Sequence, residues 1–236
     1  MSQYLQRVEI KQYLNAYELT RAAAELIAED CQRVLADRVD DYTLGLSGGR
    51  TPPLMFDALL GLPMPWSRVH VFQVDERVAP AGSEDRNFTQ LSDRLLAPAE
   101  IPEENVHPMP VETDNLELAC RRYEETMRCV TNGAPLDLLQ LGLGEDGHTA
   151  SLAPGDPILD VTDRDIWHVE RFNGLPRMSM TLPFINRARR IVWLATGATK
   201  ADMCRRLVAG DHTIPAGRVH NDGTILLVDA DAGAHL

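Results

Sequence analysis

Leu136-Asp-Leu-Leu-Gln-Leu-Gly142-Leu-Gly144-Glu145-Asp146-Gly147-His148-Thr-Ala-Ser-Leu-Ala-Pro154-Gly155 is the stretch that decides how this chain is read. It opens as an apolar run with almost no charge, which suits a parallel strand buried on both faces. Gly142, Gly144 and Gly147 then crowd together, a density that lets a backbone turn sharply and come close to a ligand. At the far end sits His148, flanked by Asp146 and Thr149. Histidine is the side chain whose ordinary pKa lies near neutrality, so it can take and return a proton there. The expectation is a catalytic loop at the carboxyl end of a central strand, where ligands of open α/β sheets bind.

Other readings fit the same letters. A glycine-rich turn with a histidine can be a plain connection. Gly142 to Gly147 also spells G-x-G-x-x-G, but the dinucleotide fingerprint must open a helix, with an acidic residue about twenty positions on. Pro154 and Gly155 interrupt any helix here after roughly two turns.

Upstream, residues 4–10 suit a short edge strand. Asn15 to Arg38 reads as a helix with Leu19, Ala23, Leu26, Ile27, Val34 and Leu35 on one face, capped by Asn15 with Glu18 three positions later. Asp41 to Leu46 is a strand, and it runs into Ser47-Gly48-Gly49-Arg50-Thr51-Pro52. Thr51 suits an N-cap and Pro52 the first turn of the next helix. Backbone N–H groups and the positive end of that helix converge on the turn, which makes an anion site with phosphate its usual occupant. A tight turn with nothing bound is the plain alternative. Gly45 to Gly49 also matches G-x-S-x-G, the nucleophile elbow of serine esterases, but that elbow normally follows several strands, and here only one long helix and one strand precede Ser47.

Arg68 to Val74 is a β-rich run ending in Asp75-Glu76-Arg77. Charges just past a buried strand sit at the sheet's carboxyl edge, although such a triplet is also common in solvated loops. A loop to Asn87 and a helix from Phe88 to Leu96 follow. Prolines 98, 102, 108 and 110 keep residues 97–111 irregular, with His107 expected at the surface. Asn115 to Val130 is helical and leads into the Leu136 strand. Beyond Gly155, Ile166 to Glu170 is a strand, Pro176 to Thr181 contains Arg177, and Leu182 to Ala188 is helix-like. Arg189 to Thr196 is a strand ending at Gly197, and a helix runs from Ala198 to Val208. Lys200 lies in its first turn, where the helix dipole disfavours a cation unless an anion is bound nearby. Thr224 to Val228 is the last strand. Strands alternate with helices throughout, without repeat or linker, so residues 1–236 are expected to form a single α/β domain with a mainly parallel sheet and helices on both faces.

Composition narrows the function. The 236 residues are 44% hydrophobic and 25% charged, with a formal net charge of −12, which argues against nucleic acid or an anionic membrane as partner. No apolar run approaches a membrane span, and the amino-terminal residues lack the apolar core of a signal peptide. Cys31, Cys120, Cys129 and Cys204 show no C-x-x-C spacing and read as reduced thiols of a cytoplasmic protein. No His, Cys and carboxylate group has metal-ligand spacing, and G-x-x-x-x-G-K-[ST] is absent. The strand ends together suggest a phosphorylated small molecule handled by acid–base chemistry.

The segments Leu46 to Pro52, Val74 to Arg77, Gly142 to Leu152 and Gly197 to Ala201 resemble, in order and spacing, the 6-phosphogluconolactonase family over nearly the whole chain. Asp146-Gly-His148-Thr-Ala-Ser151-Leu is the most specific part; it separates the lactonases from related glucosamine-6-phosphate deaminases and pentose-phosphate isomerases. The resemblance implies a Rossmann-like parallel sheet and hydrolysis of 6-phospho-D-glucono-1,5-lactone without metal or cofactor. It implies that His148 is the base, with Asp146 or Glu76 orienting it. The phosphate is expected on Ser47, Gly48, Gly49, Arg50 and Thr51 with Arg77, Arg177 and Lys200, and Asp75, Glu76 and Asn87 complete the substrate contacts. Arg86 stands where the family usually has a serine, and Glu145 where it often has a proline. The implied partner is a phosphosugar lactone, with neither nucleic acid nor membrane, on a monomer or weak homodimer in the cytoplasm. The alternatives are an isomerase or deaminase using Asp75 as base, a sugar-phosphate sensor, and an esterase using Ser47.

Overall fold

Apolar runs between turn-forming residues become strands, and the segments with 3.6-residue periodicity become helices. The computed structural model describes residues 8–220 and 222–236. In chain order its elements are β1 (Glu9–Tyr13), α1 (Ala16–Ala36), β2 (Tyr42–Leu46), α2 (Pro52–Leu60), β3 (Val69–Gln73), β4 (Asp75–Arg77), α3 (Asn87–Leu91), β5 (Val106–His107), α4 (Leu116–Thr131), β6 (Leu138–Gly142), β7 (Ile166–Phe172), β8 (Leu175–Met180), α5 (Leu182–Ile185), β9 (Ile191–Ala195), α6 (Ala201–Val208) and β10 (Thr224–Asp229). Residues 4–7 of the expected first strand lie outside the described residues.

The helices start where the sequence caps them. The Asn15 side chain accepts from the Glu18 amide at 3.0 Å, and the Glu18 carboxylate reaches back to the Leu14 amide at 3.2 Å, a reciprocal pairing of orphan donors. Asn115 does the same for α4, accepting from the Leu118 amide at 2.9 Å. That helix ends at Asn132 in the left-handed region, as helix termini commonly do.

Seven strands form one parallel sheet in the order β1-β10-β9-β6-β2-β3-β5. The chain leaves β2 toward β3 and β5, then returns to place β6 on the other side of β2, and continues outward through β9 and β10. The strand order therefore reverses between β2 and β6. A crevice opens at such a reversal, outside the carboxyl ends of the strands. The loops after β2 and β6, which carry the glycine turn and His148, both start there.

Side chains alternate across the sheet into two cores. On one face Leu44, Leu138, Val192 and Leu227 pack with Leu19 and Ala23 of α1, Met55 and Leu59 of α2, and Leu91 of α3. On the other, Leu139, Leu141, Trp193 and Leu226 pack with Cys120 and Tyr123 of α4 and Cys204 of α6. Helices thus cover both faces, as the composition of the strands requires. Burial pushes the thiols of Cys31, Cys120 and Cys204 up to about 12. No helix among the described residues is long and apolar enough to cross a membrane.

Four local expectations change. Asp75 to Arg77 is not a loop: it forms β4 in a second, antiparallel sheet of order β4-β8-β7, and Asp75 and Glu76 are buried. The Pro176 to Thr181 segment supplies β8 of that sheet. Thr51 makes no side-chain cap; its hydroxyl pairs instead with Thr196 Oγ1 at 2.9 Å, tying the loop after β2 to the end of β9. His107 is half-buried rather than at the surface. It lies on β5, stacks on Phe72 with ring centroids 4.4 Å apart, and pairs with His70 Nδ1 at 2.9 Å. Burial, with His70 alongside, lowers its pKa to about 4.

Candidate active site

The loop after β6 folds back on itself. The Gly144 amide donates to the His148 carbonyl at 2.8 Å, and the Gly147 amide to the Gly144 carbonyl at 3.1 Å. This closes the turn and lays the imidazole over Gly144. Asp146 accepts twice on Oδ1: from the His148 amide at 3.0 Å and from its Nδ1 at 2.5 Å. Partial burial pushes the Asp146 carboxyl up, and the hydrogen bonds from the His148 amide and imidazole outweigh it, leaving it below its ordinary pKa. The ring also meets Phe172 edge-on at 4.8 Å between centroids, and with Nδ1 held by Asp146 the nitrogen left for chemistry is Nε2. The imidazole is part-exposed at the rim.

Gly144 is what allows this geometry: a methyl group there would sit 2.0 Å from His148 Nδ1. Gly144→Ala is expected to displace the ring and lower turnover by about a hundredfold with the fold intact. Steady-state kinetics beside a circular dichroism spectrum checks both halves.

Glu76, the other candidate for orienting the ring, is placed elsewhere. It is fully buried and accepts from Gln73 Nε2 at 2.8 Å and from the amides of Arg77, Asn87 and Phe88 at 2.7, 2.7 and 2.8 Å. Arg86 Nε lies 3.5 Å from it and also pairs with Glu112. Glu76 therefore organises the loop of residues 77–88 and the start of α3. Asp75 accepts from Ser151 Oγ at 2.7 Å and from Asn87 Nδ2 at 3.2 Å, with Arg177 Nη1 at 3.9 Å. Asn87 in turn presses on Gly48, where a Cβ would lie 1.9 Å from its Oδ1. The loops after β2, β3 and β6 are thus in contact through Asn87, Asp75 and Ser151.

The glycine turn has its own geometry. Ser47 is buried: its amide donates to Gln140 Oε1 at 3.1 Å and its hydroxyl to the Gln140 carbonyl at 2.9 Å. That occupied hydroxyl is anchored to β6 rather than paired with a base, unlike an activated nucleophile. Among the described residues the amides of Gly48, Gly49 and Arg50 have no hydrogen-bond acceptor.

Cations arrive in two sets. Lys200 is largely covered, and burial holds its ammonium below its ordinary pKa against the pull of Glu145 and Asp146, while the nearby Arg50 charge pushes the same way as burial. Arg77 and Arg177 are direct cross-strand partners of β4 and β8. Like charges in that register repel. The Arg177 guanidinium is buried, which lowers its pKa against the pull of Asp75, and it lies 5.1 Å over the Phe172 ring. Arg77 Nε is buried without an acceptor among the described residues. His148 reaches one set through Phe172, on which Arg177 lies, and its partner Asp146 follows Glu145, which pairs with Lys200 of the other. No group of three or more His, Cys, Asp or Glu suited to a metal ion occurs among the described residues.

Two contributors are not among the site residues expected from the sequence. Ser151 fills one side of Asp75, and Phe172 seats both the imidazole and Arg177. Phe172 was detectable: Asn173 and Gly174 both have positive φ, and an Asn-Gly pair between two β-like runs is the strongest short hairpin signal.

Comparison with known proteins finds relatives over nearly the whole chain. A 6-phosphogluconolactonase of Synechocystis is 36% identical over 232 residues, covering 94% of this chain and 96% of that protein. One from Nostoc is 36% identical over 204 residues, covering 83% and 85%. The crystal structure of a 6-phosphogluconolactonase from Thermotoga maritima superposes with a TM-score of 0.85 at 27% identity, covering 94% of this chain and 99% of that one. The family described as glucosamine-6-phosphate isomerases/6-phosphogluconolactonase matches residues 15–227. With its reversal-point crevice and the relatives that share its length, the chain belongs to the glucosamine-6-phosphate isomerase/6-phosphogluconolactonase family.

Proposed function

We propose that this chain hydrolyses 6-phospho-D-glucono-1,5-lactone to 6-phosphogluconate, the lactone-opening step of the oxidative pentose phosphate pathway, with His148 as general base. The observation that carries the reading is the imidazole held at Nδ1 by Asp146 at 2.5 Å, at the same rim as the free amides of the glycine turn. The relatives named above are lactonases, whereas the family description spans two chemistries.

The steps follow from the geometry. With Nδ1–H donated to Asp146, neutral Nε2 accepts a proton from water as the water oxygen attacks the lactone carbonyl carbon. Hydrogen-bond donors at the rim hold the oxyanion, each such donor contributing about 3–4 kcal/mol in comparable sites. The tetrahedral intermediate collapses, the bond from carbon to ring oxygen breaks, and protonated His148 returns its proton to that oxygen. The product is an open-chain acid with a new hydroxyl. The phosphate lies on the Ser47 to Thr51 turn with Lys200, Arg77 and Arg177, and this remote anchor positions the carbonyl.

Lys200→Ala is expected to raise KM for the lactone by about tenfold or more, since a charge-assisted hydrogen bond contributes roughly 1.5–3 kcal/mol, with a much smaller change in kcat. Initial rates across substrate concentration check the split.

The family's other chemistry needs a base beside C2 of an open-chain sugar, for which Asp75 is the candidate. Its carboxylate is already engaged by Ser151, Asn87 and Arg177, which disfavours that role. Two assays decide. Freshly prepared 6-phosphogluconolactone should release acid faster than its spontaneous hydrolysis, and glucosamine-6-phosphate should release no ammonia. The reverse pattern would replace the lactonase by the deaminase. The same reading includes a single-domain cytoplasmic enzyme, monomeric or weakly dimeric, without nucleic-acid or membrane partners; the net charge of −12 supports the last point.

A further inference from the structure

Glu145 lies beside Asp146 in the loop after β6, yet its carboxylate turns away from the imidazole. Its Oε1 accepts from Thr199 Oγ1 at 3.0 Å and lies 3.9 Å from Lys200 Nζ. The Glu145 side chain is 62% exposed and that of Lys200 only 20%, so the carboxylate is the more solvent-facing partner of the pair. The Ala198 to Lys200 turn leads straight into α6. A lysine at that end of a helix opposes the dipole, and Glu145 supplies the compensating charge from within the chain. Arg50, on the loop after β2, is close enough to share the same field.

We infer that Glu145 is an internal counter-ion that holds Lys200 and Thr199 in the free protein and is pushed aside by the ligand's phosphate, so that it sets the charge a ligand must carry to enter. This rests on the phosphate placement proposed above. A phosphate dianion brings two charges and several acceptor oxygens against one carboxylate, and so displaces Glu145. A sugar lactone without phosphate has nothing to exchange for the Lys200 contact. After displacement, Glu145 stays near a like charge and lowers affinity for the phosphorylated ligand as well. The residue thus gives up some tightness in exchange for discrimination.

Calorimetric titration of 6-phosphogluconate into the unaltered protein, Glu145→Gln, Lys200→Ala and the double variant tests this. Glu145→Gln is expected to bind roughly fivefold tighter. That gain should vanish in the Lys200→Ala background and shrink when salt is raised to about 0.5 M. If Lys200→Ala weakens binding but Glu145→Gln leaves it unchanged or weaker, the counter-ion role is wrong and the phosphate cradle stands. If Lys200→Ala binds as tightly as the unaltered protein, the cradle itself is misplaced and the inference falls with it.

Discussion

Replacing His148 with alanine is expected to lower lactone turnover by about a hundredfold or more, while affinity for 6-phosphogluconate stays near that of the unaltered protein. The separation follows from geometry. Among the described residues the imidazole makes no bond to the cations or to the free amides of the glycine turn; its partners there are Asp146 and Phe172. Removing it takes away the proton acceptor and leaves the phosphate anchor. The residual rate reflects positioning and oxyanion stabilisation alone. Acid release measured beside a product titration reads both quantities. Turnover near the original rate would show that another group takes the proton, and a parallel loss of affinity would show that the ring binds rather than reacts.

Glu76→Ala is expected to lower stability by roughly 3–5 kcal/mol, the range for removing one partner of a buried charged pair. Glu76 is 0% exposed. Its two oxygens serve the amides of Arg77, Asn87 and Phe88 and the Gln73 side chain, with the Arg86 guanidinium, itself buried, at 3.5 Å. Alanine would strand these donors away from water and leave the buried Arg86 guanidinium with Glu112 as its carboxylate partner. Glutamine should rescue little, because its NH2 group faces donors where the carboxylate accepts. Urea unfolding of the three proteins gives the comparison; a loss under about 1 kcal/mol for alanine would place the loop's stability elsewhere.

Five strands of the main sheet, β2, β3, β6, β9 and β10, were legible because they are largely buried and read as mostly apolar runs, whereas the polar β1 and the two-residue β5 carry no such run; Asn15 and Asn115 mark helix starts by a local mechanism. The juxtaposition of the glycine turn and His148 followed from strand ends alone. The second sheet was not legible in the same way. Its first strand is three residues long and fully charged, so Asp75, Glu76 and Arg77 read as the start of a loop at the sheet's carboxyl edge rather than as a strand. Only tertiary partners make them tolerable inside: Ser151, Asn87 and the amides of residues 77, 87 and 88. Thr51 looked like a cap because the cap is a local motif, yet its hydroxyl is taken by Thr196, 145 positions away. His107 sits among prolines and looked exposed; its burial depends on Phe72 and His70 of another strand. In each case local pattern lost to a long-range contact, and most of these contacts lie around the site.

The sheet order also dictates when the site can exist as the polypeptide emerges from the ribosome. Synthesis runs from the amino end, and early segments fold first. β2, β3 and β5 can associate while the rest is still being made, but the crevice lacks its second wall until β6 appears, and Lys200 follows β9 later still. β1, made before any of them, pairs among the described residues only with β10, so its hydrogen-bonding edge stays open until β10 has been made. Such distant pairing slows folding. It also makes the carboxyl-terminal strand the latch of the sheet, so a nascent chain truncated before Thr224 would keep the catalytic loop and leave β1 without its neighbour.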